Sequence, residues 1–285
     1  MRDKSALQQV RDGDTNGVVI WRGPSRLDGA PIALVAIGFN GASNSKTGGG
    51  LVQTYIIRED MPPALASQTG ADASICGSCG HRGRYKYDDL TGILARIAGT
   101  HQCYVNLGQG PLMAYERMHS GQYPDATPRE VAQLFRGLMV RIGAYGDGAA
   151  VPRKIWERIL RHTIGRTGYS HQWRMPSMQW LQQYCMASVD TVAEMHEARA
   201  MGWRTFRVAP PVGWTKEPGE GLCPASEEAG KALQCDTCKL CSGTAGHGRA
   251  SIMIPDHGPA GRAAKARAAN GDQPRVIIRR VKTAA

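Results

Sequence analysis

The sequence predicts an α/β protein, a (β/α)8 TIM-barrel-like domain preceded by a small β-rich segment. Three observations lead to this fold class. Short β-branched runs recur along the chain, segments with helical features separate several of them, and polar side chains directly follow many of the runs. With 285 residues, of which 42% are hydrophobic, the chain has enough apolar surface to bury a large core without disulfides.

Residues 1–70 make up the predicted β-rich segment. It contains three strand-like runs, at 18–21, 32–37 and 52–57, which Gly, Pro, Asn and Ser residues separate. The loop at 41–50 is rich in glycine and contains Lys46 and Thr47, but it lacks the residue order of a P-loop. We therefore expect a flexible hairpin loop, with a phosphate-cradling loop as the alternative.

Residues 71–258 make up the predicted barrel-like domain, which would carry both metal sites described below. Its eight candidate strands lie at 74–76, 103–107, 139–144, 167–171, 185–189, 205–208, 221–223 and 251–254. Helices are predicted at 90–98, 127–137, 152–162 and 191–201, the last with Thr191 or Asp190 as N-cap and Gly202 as C-cap. Eight strands with helical crossovers fit a closed barrel, and six or seven strands in an open sheet are the alternative.

Seven of the eight cysteines fall into two groups with metal-ligand spacing. The second group along the chain consists of Cys223, Cys235, Cys238 and Cys241, and its last three members form a C-x-x-C-x-x-C run. Four thiolates suit either a [4Fe–4S] cluster or tetrahedral Zn2+. The uninterrupted run and the Cys223-Pro224 pair favour the cluster, since zinc ribbons more often use two separated C-x-x-C knuckles.

The first cysteine group contains Cys76, Cys79 and Cys103. Three thiolates leave one ligand position open on a [4Fe–4S] cluster or on zinc. The fourth ligand is Cys185, a histidine such as His81, His101 or His257, or else a water or substrate molecule. An exchangeable ligand would turn a structural centre into a Lewis acid, whereas a protein ligand would leave it purely structural.

Polar residues also follow the candidate strands, and in a barrel the carboxyl ends of the strands carry the chemistry. We expect Asp190 and Asp147 as acid–base groups, His171 as an assisting group and Arg207 as a phosphate-positioning group. The alternative, purely structural roles are a helix cap for Asp190, a core position for His171 and an ion pair for Arg207. Their shared placement is the stronger argument. The further members of this set are Cys76, Gln172, Cys223, Asp256 and His257.

The charge is concentrated at the carboxyl terminus. Residues 258–285 carry six of the eleven net positive charges, so 259–285 reads as a basic, flexible tail able to hold a nucleic-acid backbone, or else as a solubilising tail without a partner. No signal peptide or membrane-spanning run is evident, which predicts a cytoplasmic protein without a membrane contact. The oligomeric state has no signature in the sequence.

Eight segments of the chain form a pattern of glycine, cysteine and polar residues, at 46–48, 53–54, 70–82, 103–106, 108–111, 121–123, 223–226 and 235–243. Together these segments resemble a bacteriophage-encoded cysteine-rich family of iron–sulfur proteins. The resemblance covers most of residues 40–258, and the N-terminus and the basic tail lie outside it. It implies a barrel-like fold with [4Fe–4S] clusters, and a viral protein acting in the host cytoplasm.

A more distant similarity links the late cysteine site to barrel enzymes that exchange bases in tRNA or phage DNA. Those enzymes use zinc and a C-x-C-x-x-C pattern, from which this chain departs. Three functions follow as hypotheses. The first is an iron–sulfur enzyme acting on nucleotides or nucleic acid. The second is a zinc-stabilised nucleic-acid-binding module, and the third is an electron-transfer or redox-sensing protein.

Overall fold

A computed structural model of the protein describes residues 4–41, 49–89, 92–246 and 248–269, and these contain eleven strands and nine α-helices. The strands are β1 Gly17–Pro24, β2 Pro31–Ile37, β3 Leu51–Arg58, β4 Tyr85–Tyr87, β5 Leu94–Arg96, β6 Met139–Tyr145, β7 Gly165–Ser170, β8 Met186–Val189, β9 Thr205–Ala209, β10 Glu220–Leu222 and β11 Ser251–Pro255. The helices are α1 Ala6–Asp12, α2 Pro63–Thr69, α3 Ala73–Cys76, α4 Gly110–His119, α5 Pro128–Leu134, α6 Arg153–Leu160, α7 Val192–Ala200, α8 Cys235–Cys238 and α9 Pro259–Ala269.

Nine of these strands form one mostly parallel sheet in the order β1-β2-β3-β6-β7-β8-β9-β11-β10. The seven strands from β3 to β10 run parallel, while β1 and β2 extend the sheet antiparallel. Within the described residues the hydrogen-bonded ladder is open, with β1 and β10 at its edges. The structure therefore confirms an α/β fold with a large parallel sheet.

The β-rich N-terminal segment is part of this same sheet. Its three predicted strands are confirmed as β1, β2 and β3, and β3 pairs with β6 across the predicted boundary at residue 70. The pairing of Leu51 with Met139 and of Val52 with Val140 makes the segment continuous with the rest of the core. The glycine-rich loop at 42–48, including Lys46 and Thr47, lies outside the described residues.

The two faces of the parallel sheet have different environments. Along β6, Val140, Ile142 and Ala144 belong to the main hydrophobic core, where helices cover the sheet. Arg141 lines a cavity on the other side, and so do residues 143–145, where the positive φ of Gly143 (67°) interrupts the two-residue period of the strand and Tyr145 also packs in the main core. The sheet thus separates a helix-covered core from a side that carries polar and sulfur-containing residues.

Two of the eight predicted barrel strands are wrong. Residues 74–76 lie in α3, where the Cys76 N–H bonds to the Asp72 carbonyl oxygen, because a three-residue apolar run is too short to fix an extended backbone. Residues 103–107 are irregular, since the Cys103 N–H bonds to His81 O in a neighbouring loop instead of to a strand. The other six predicted strands are confirmed as β6 to β11.

The helix predicted at 90–98 is also wrong over its described part, where Leu94–Arg96 forms β5 and pairs antiparallel with β4. Gly92 has a φ of 66° in the turn between the two strands, a conformation that glycine accepts and that ends a helical run. The helices predicted at 127–137, 152–162 and 191–201 are confirmed as α5, α6 and α7, the last with Thr191 as its N-cap.

The basic tail departs from the predicted flexible segment over its first eleven residues, which form α9. Lys265 of this helix forms an ion pair with Glu228, and the Arg262 guanidinium donates to His257 O at 2.7 Å. Residues 270–285 of the tail lie outside the described part of the chain. Among the described helices, none has the length and apolar character needed to cross a membrane.

Stability at acidic pH should depend on Glu130, which closes the capping box of α5. Burial alone would raise the pKa of Glu130, but hydrogen bonds from the Leu7 N–H and from Thr127 outweigh it and lower the pKa to about 2. Because the folded pKa lies below the unfolded value of 4.5, the stabilisation is present above pH 4.5 and is lost as the pH falls toward 2. Glu130→Gln should lower the free energy of unfolding by on the order of 1 kcal/mol at pH 7.

Urea denaturation at pH 7 and at pH 3 measures this dependence, and the difference between wild type and Glu130→Gln should shrink at pH 3. Glu116→Gln, at an exposed position in α4, is the matched control and should leave the midpoint unchanged at both values. If the difference in the free energy of unfolding between wild type and Glu130→Gln is the same at both pH values, the role of the ionised Glu130 is contradicted.

Candidate metal and substrate site

A cavity of about 230 Å³ lies against the side of the sheet that faces away from the main core. It is lined by members of both cysteine groups, by three histidines and by alternate residues of the parallel strands. Residues that follow β6, β7, β10 and β11 all reach it, so the carboxyl ends of these strands converge as the sequence predicted. Its lining includes Cys76, Cys79, His81, Cys103, Tyr104, Arg141, Tyr145, Asp147, Tyr169, His171, Phe206, Cys223, Cys235, Asp256 and His257.

The first cysteine group, Cys76, Cys79 and Cys103, lies together at this cavity. Burial raises the pKa of all three thiols, that of Cys79 to about 12, and the neighbouring thiols raise the pKa of Cys76 and Cys79 further. Such thiols are protonated at neutral pH, so a metal that binds them as thiolates must release protons. A soft metal cation, which binds thiolates tightly, would stabilise this arrangement of cysteines.

The loop that carries Cys76 and Cys79 is held by side chains from two directions. The Gln172 amide donates to Cys76 O at 3.1 Å and accepts from the Ser78 N–H at 3.3 Å. Arg82 donates to Gly77 O at 3.0 Å and forms a buried ion pair with Asp72 at 2.6 Å. Gly77 has a φ of 56°, and a Cβ there would lie 2.5 Å from the Gln172 side chain, so a glycine is required.

Cys103 joins this loop through the backbone, since the N–H groups of Gln102 and Cys103 both donate to His81 O at 3.0 Å. Two segments separated by more than twenty residues are thereby fixed side by side. These backbone hydrogen bonds bring Cys103 to the cavity that Cys76 and Cys79 also line.

The second cysteine group is built from a β-strand end and a single helical turn. Cys223 follows β10, its N–H donates to Met253 O at 2.8 Å, and Cys235 and Cys238 begin and end α8. Lys239, with a φ of 56°, turns the chain so that Cys241 is buried. Burial raises the pKa of Cys241 to about 12, and the other three cysteines of the group raise it further.

The surroundings of the second group are largely apolar. Cys241 packs with Met186 and Ile252, and the partly buried Tyr169, Phe206 and Leu240 complete this smaller cluster. The Tyr169 and Phe206 rings lie 4.3 Å apart. Restricted water access of this kind is a feature by which proteins tune cluster potentials.

Two histidines stand next to the first cysteine group. His171 Nε2 lies 3.6 Å from Cys79 Sγ, and the His81 and His171 rings are 5.8 Å apart. His81 Nε2 lies 3.0 Å from Asp190 Oδ1, and this hydrogen bond raises the pKa of His81. Burial lowers the pKa of His171, so the two rings favour different charge states.

Asp147 serves the site by positioning His171. Its carboxylate accepts hydrogen bonds from the backbone N–H of His171 at 2.7 Å, from the Ser170 hydroxyl at 2.8 Å and from the backbone N–H of Ala149 at 3.0 Å. The residue lines the cavity, but its oxygens are committed to these donors. Asp147 is therefore placed as a positioning residue for His171.

Asp190 and Arg207 are placed differently from each other. Asp190 is connected to the cavity by its hydrogen bond to His81, and the Asp190 side chain is 41% exposed. Arg207 does not line the cavity, because Phe206 and Val208 of β9 point there and Arg207 points to the opposite face. Its guanidinium forms a buried ion pair with Glu220, so the structure brings Asp147, His171 and Asp190 together and leaves Arg207 outside the site.

Cys185 also lies away from the first cysteine group. It belongs to the main hydrophobic core and is fully buried. Its sulfur packs so closely on Gly168 that a Cβ added to that glycine would lie 2.6 Å from it. None of the eight cysteines forms a disulfide. Of the candidate fourth ligands, His81 and His257 line the cavity, whereas Cys185 and His101 do not.

Tyr104, Arg141 and Tyr145 are among the cavity residues that the sequence did not predict. Arg141 had a detectable signal, because an arginine inside an apolar β-branched strand demands a specific environment. The Arg141 guanidinium donates to the Tyr104 hydroxyl at 2.7 Å. Tyr104 itself lies in the segment wrongly predicted as a strand.

The donor chemistry of both groups fits an iron–sulfur cluster. Each cysteine of a [4Fe–4S] site binds a different iron, so the ligands surround a body larger than one ion. The second group has four thiols, the number that a [4Fe–4S] cluster takes, and the first group has three. Across the described residues, no three Cys, His, Asp or Glu side chains are grouped as a site for a single metal ion.

Comparison of the chain with models of known protein families, with curated proteins and with solved structures found no match.

Proposed function

We propose that the protein binds two [4Fe–4S] clusters and is an enzyme whose substrate occupies the cavity that both centres border. One observation carries the proposal. Cys76, Cys79 and Cys103 line the same cavity as Cys223 and Cys235, although the two sets lie more than a hundred residues apart in the sequence. Thiols that served only to brace two separate loops would not need to meet at one space large enough for a ligand.

The first cysteine group is the proposed reactive centre. Three of its cysteines reach the cavity, and the only cysteine outside the two groups, Cys185, is buried in the main core. A cluster held by three thiolates supplies a Lewis-acidic iron when bound. The second group, with four thiols around an apolar cluster, suits a closed centre that stabilises the fold or carries electrons.

The residues of the chain contribute positioning and proton placement. Asp190 holds His81 at the edge of the cavity through the His81 Nε2, and Asp147 fixes the backbone of His171 beside Cys79. A histidine whose ring nitrogen is hydrogen-bonded to a carboxylate, as that of His81 is, is suited to holding a proton at a defined atom. Asp190 with His81, and His171, are the proposed acid–base groups, Asp147 is a positioning residue, and Arg207 is not part of this set.

The proposed substrate is a nucleotide or a single nucleotide of a nucleic acid. A cavity of about 230 Å³ is too small for a duplex, so a nucleic-acid substrate would have to present one extruded nucleotide. The resemblance to a phage-encoded cysteine-rich family supports a viral protein acting in the host cytoplasm. The seven parallel strands are, on this proposal, an incomplete TIM-like barrel whose concave side holds the site.

Metal analysis of anaerobically prepared protein tests the proposal. We expect a brown protein with about eight iron and about eight acid-labile sulfide per chain, as two [4Fe–4S] clusters require. Electron paramagnetic resonance after reduction should show two cluster signals. A colourless protein that contains zinc after preparation in iron-supplemented medium would contradict the proposal and favour the zinc-stabilised module.

A further inference from the structure

Two buried polar atoms on one face of β6 have no partner among the described residues. They are Arg141 Nε and the Tyr145 hydroxyl oxygen, and both residues line the cavity. Buried polar groups in native proteins are hydrogen-bonded to protein, water or a ligand in the great majority of cases. Two unpartnered groups in one cavity therefore mark places where a bound molecule makes hydrogen bonds.

Arg141 is a cation without a carboxylate partner. It forms no ion pair with any described Asp or Glu, and its guanidinium donates to the Tyr104 hydroxyl. Among the described residues that line the cavity it is the only arginine or lysine. The ordinary partners of a guanidinium are carboxylates and phosphates, which it binds with two parallel hydrogen bonds.

The cavity opens to solvent next to this cation. Tyr104 is 56% exposed, and it contacts both the Arg141 guanidinium and, at a ring separation of 6.1 Å, His257. A ligand that enters there meets Arg141 and the Tyr104 hydroxyl. Both groups can donate to the oxygens of an anion.

Tyr145 stands four residues further along the same strand, up to about 13 Å from Arg141 at the rise of an extended chain. Its hydroxyl is buried, and the residue lines the cavity together with Cys76 and Cys103. Gly143, between the two residues, places no side chain in the cavity that it lines. The inner face of β6 thus has a cation at one end and a hydroxyl beside the first cysteine group at the other.

We propose that the cavity binds a small elongated anion, with its phosphate or carboxylate group on Arg141 and Tyr104 and a polar group at its other end on Tyr145. This assignment names the substrate class of the cavity and in that respect rests on the proposed function. The anion site itself consists of side chains alone. A nucleoside 5′-monophosphate has the required combination of a terminal anion and a polar ring at a distance.

Titration calorimetry on the full-length protein tests the site with nucleoside 5′-monophosphates, the matching nucleosides, inorganic phosphate and succinate as probes. We expect at least one monophosphate to bind, its nucleoside to bind more than about tenfold more weakly, and Arg141→Gln to lose at least about tenfold in affinity. Tyr104→Phe and Tyr145→Phe should each lose a few-fold. Stronger binding of succinate than of any phosphate probe would assign the anion as a carboxylate and support the site.

Arg166→Gln is the matched control. Arg166 lies on the neighbouring strand β7 opposite Val140, is partly buried and also has an unpartnered Nε, but it does not line the cavity. Its guanidinium instead donates to Gln183 O and stacks on Tyr184. This variant should bind the probes as wild type does, and thermal melting of both variants shows whether the fold is kept.

Three results would overturn the proposal: no anionic probe binds at millimolar concentration, Arg141→Gln binds as wild type does, or Arg166→Gln loses as much affinity as Arg141→Gln. Running each titration before and after iron reconstitution separates this inference from the proposed function. Anion binding that depends on Arg141 in a protein unable to hold clusters would retain the site and reject the iron–sulfur enzyme. An Arg141→Gln variant with altered iron content but unchanged anion binding would assign Arg141 to a cluster and reject the anion site.

Discussion

Serine at Cys76 should remove about four of the eight irons expected per chain, and serine at Cys238 should remove the other four. The two residues belong to groups that different segments hold in place, the first by Gln172 and Arg82 and the second by the turn of α8. Because the groups share no ligand, each substitution should spare the other centre. Iron and sulfide analysis, with reduced-state spectra of each variant, measures the outcome.

The two variants should differ in stability. Between Cys223 and Cys241 the regular secondary structure in the described residues is the four-residue α8, so the bound centre would have to order this segment. Cys76 sits instead in a loop already held by side-chain and backbone hydrogen bonds. Cys238→Ser should therefore lower the melting temperature of the reconstituted protein more than Cys76→Ser does.

Cys185→Ala is the control for this experiment, since Cys185 is the one cysteine that is buried in the main core away from both groups. It should retain all the iron, while its melting temperature falls modestly because a small buried side chain is shortened. Full iron content in Cys76→Ser, or a loss of iron in Cys185→Ala, would contradict the assignment of the ligands.

The sequence predicted the strands of the large sheet well and the connections less well. β1 to β3 and β6 to β11 were recognised because β-branched runs between turn residues have few other ways to be buried. The predictions for the segments at 74–76, 94–98 and 103–107 were wrong because long-range contacts determine the backbone conformation of these segments. Cys103, for example, owes its backbone conformation to hydrogen bonding with the loop at His81.

The site was predicted through the convergence of strand ends, and its errors come from side-chain direction. Asp147, His171, Cys223, Asp256 and His257 meet at one cavity as expected. Successive side chains of a strand point to opposite faces of the sheet, so an error of one residue in position moves a side chain from the cavity to the other face. Arg207 was assigned to the wrong face for this reason, and Arg141, on the correct face, was overlooked.

Breaking the ion pair between Arg207 and Glu220 should lower the free energy of unfolding by about 3–5 kcal/mol, because the remaining charge would be buried without compensation. The side chains are only 4% and 0% exposed, and the guanidinium binds the carboxylate through two hydrogen bonds of 2.8 and 2.6 Å. Arg207→Met and Glu220→Leu should each show this loss in urea denaturation. The double variant should recover most of it, since an apolar pair of similar volume is often as stable as a buried ion pair.

The recovery should be incomplete, because Arg207 also donates to Thr215 O and Glu220 accepts from the Glu217 N–H. Arg153→Met breaks an exposed pair with Glu157 in α6 and should change the free energy of unfolding by less than about 1 kcal/mol. The same variants separate structure from function at Arg207. If the double variant is stable yet loses nucleotide binding or turnover, Arg207 contacts the substrate after all; if it binds as wild type does, the residue holds β9 to β10 across β11 and has no part in the site.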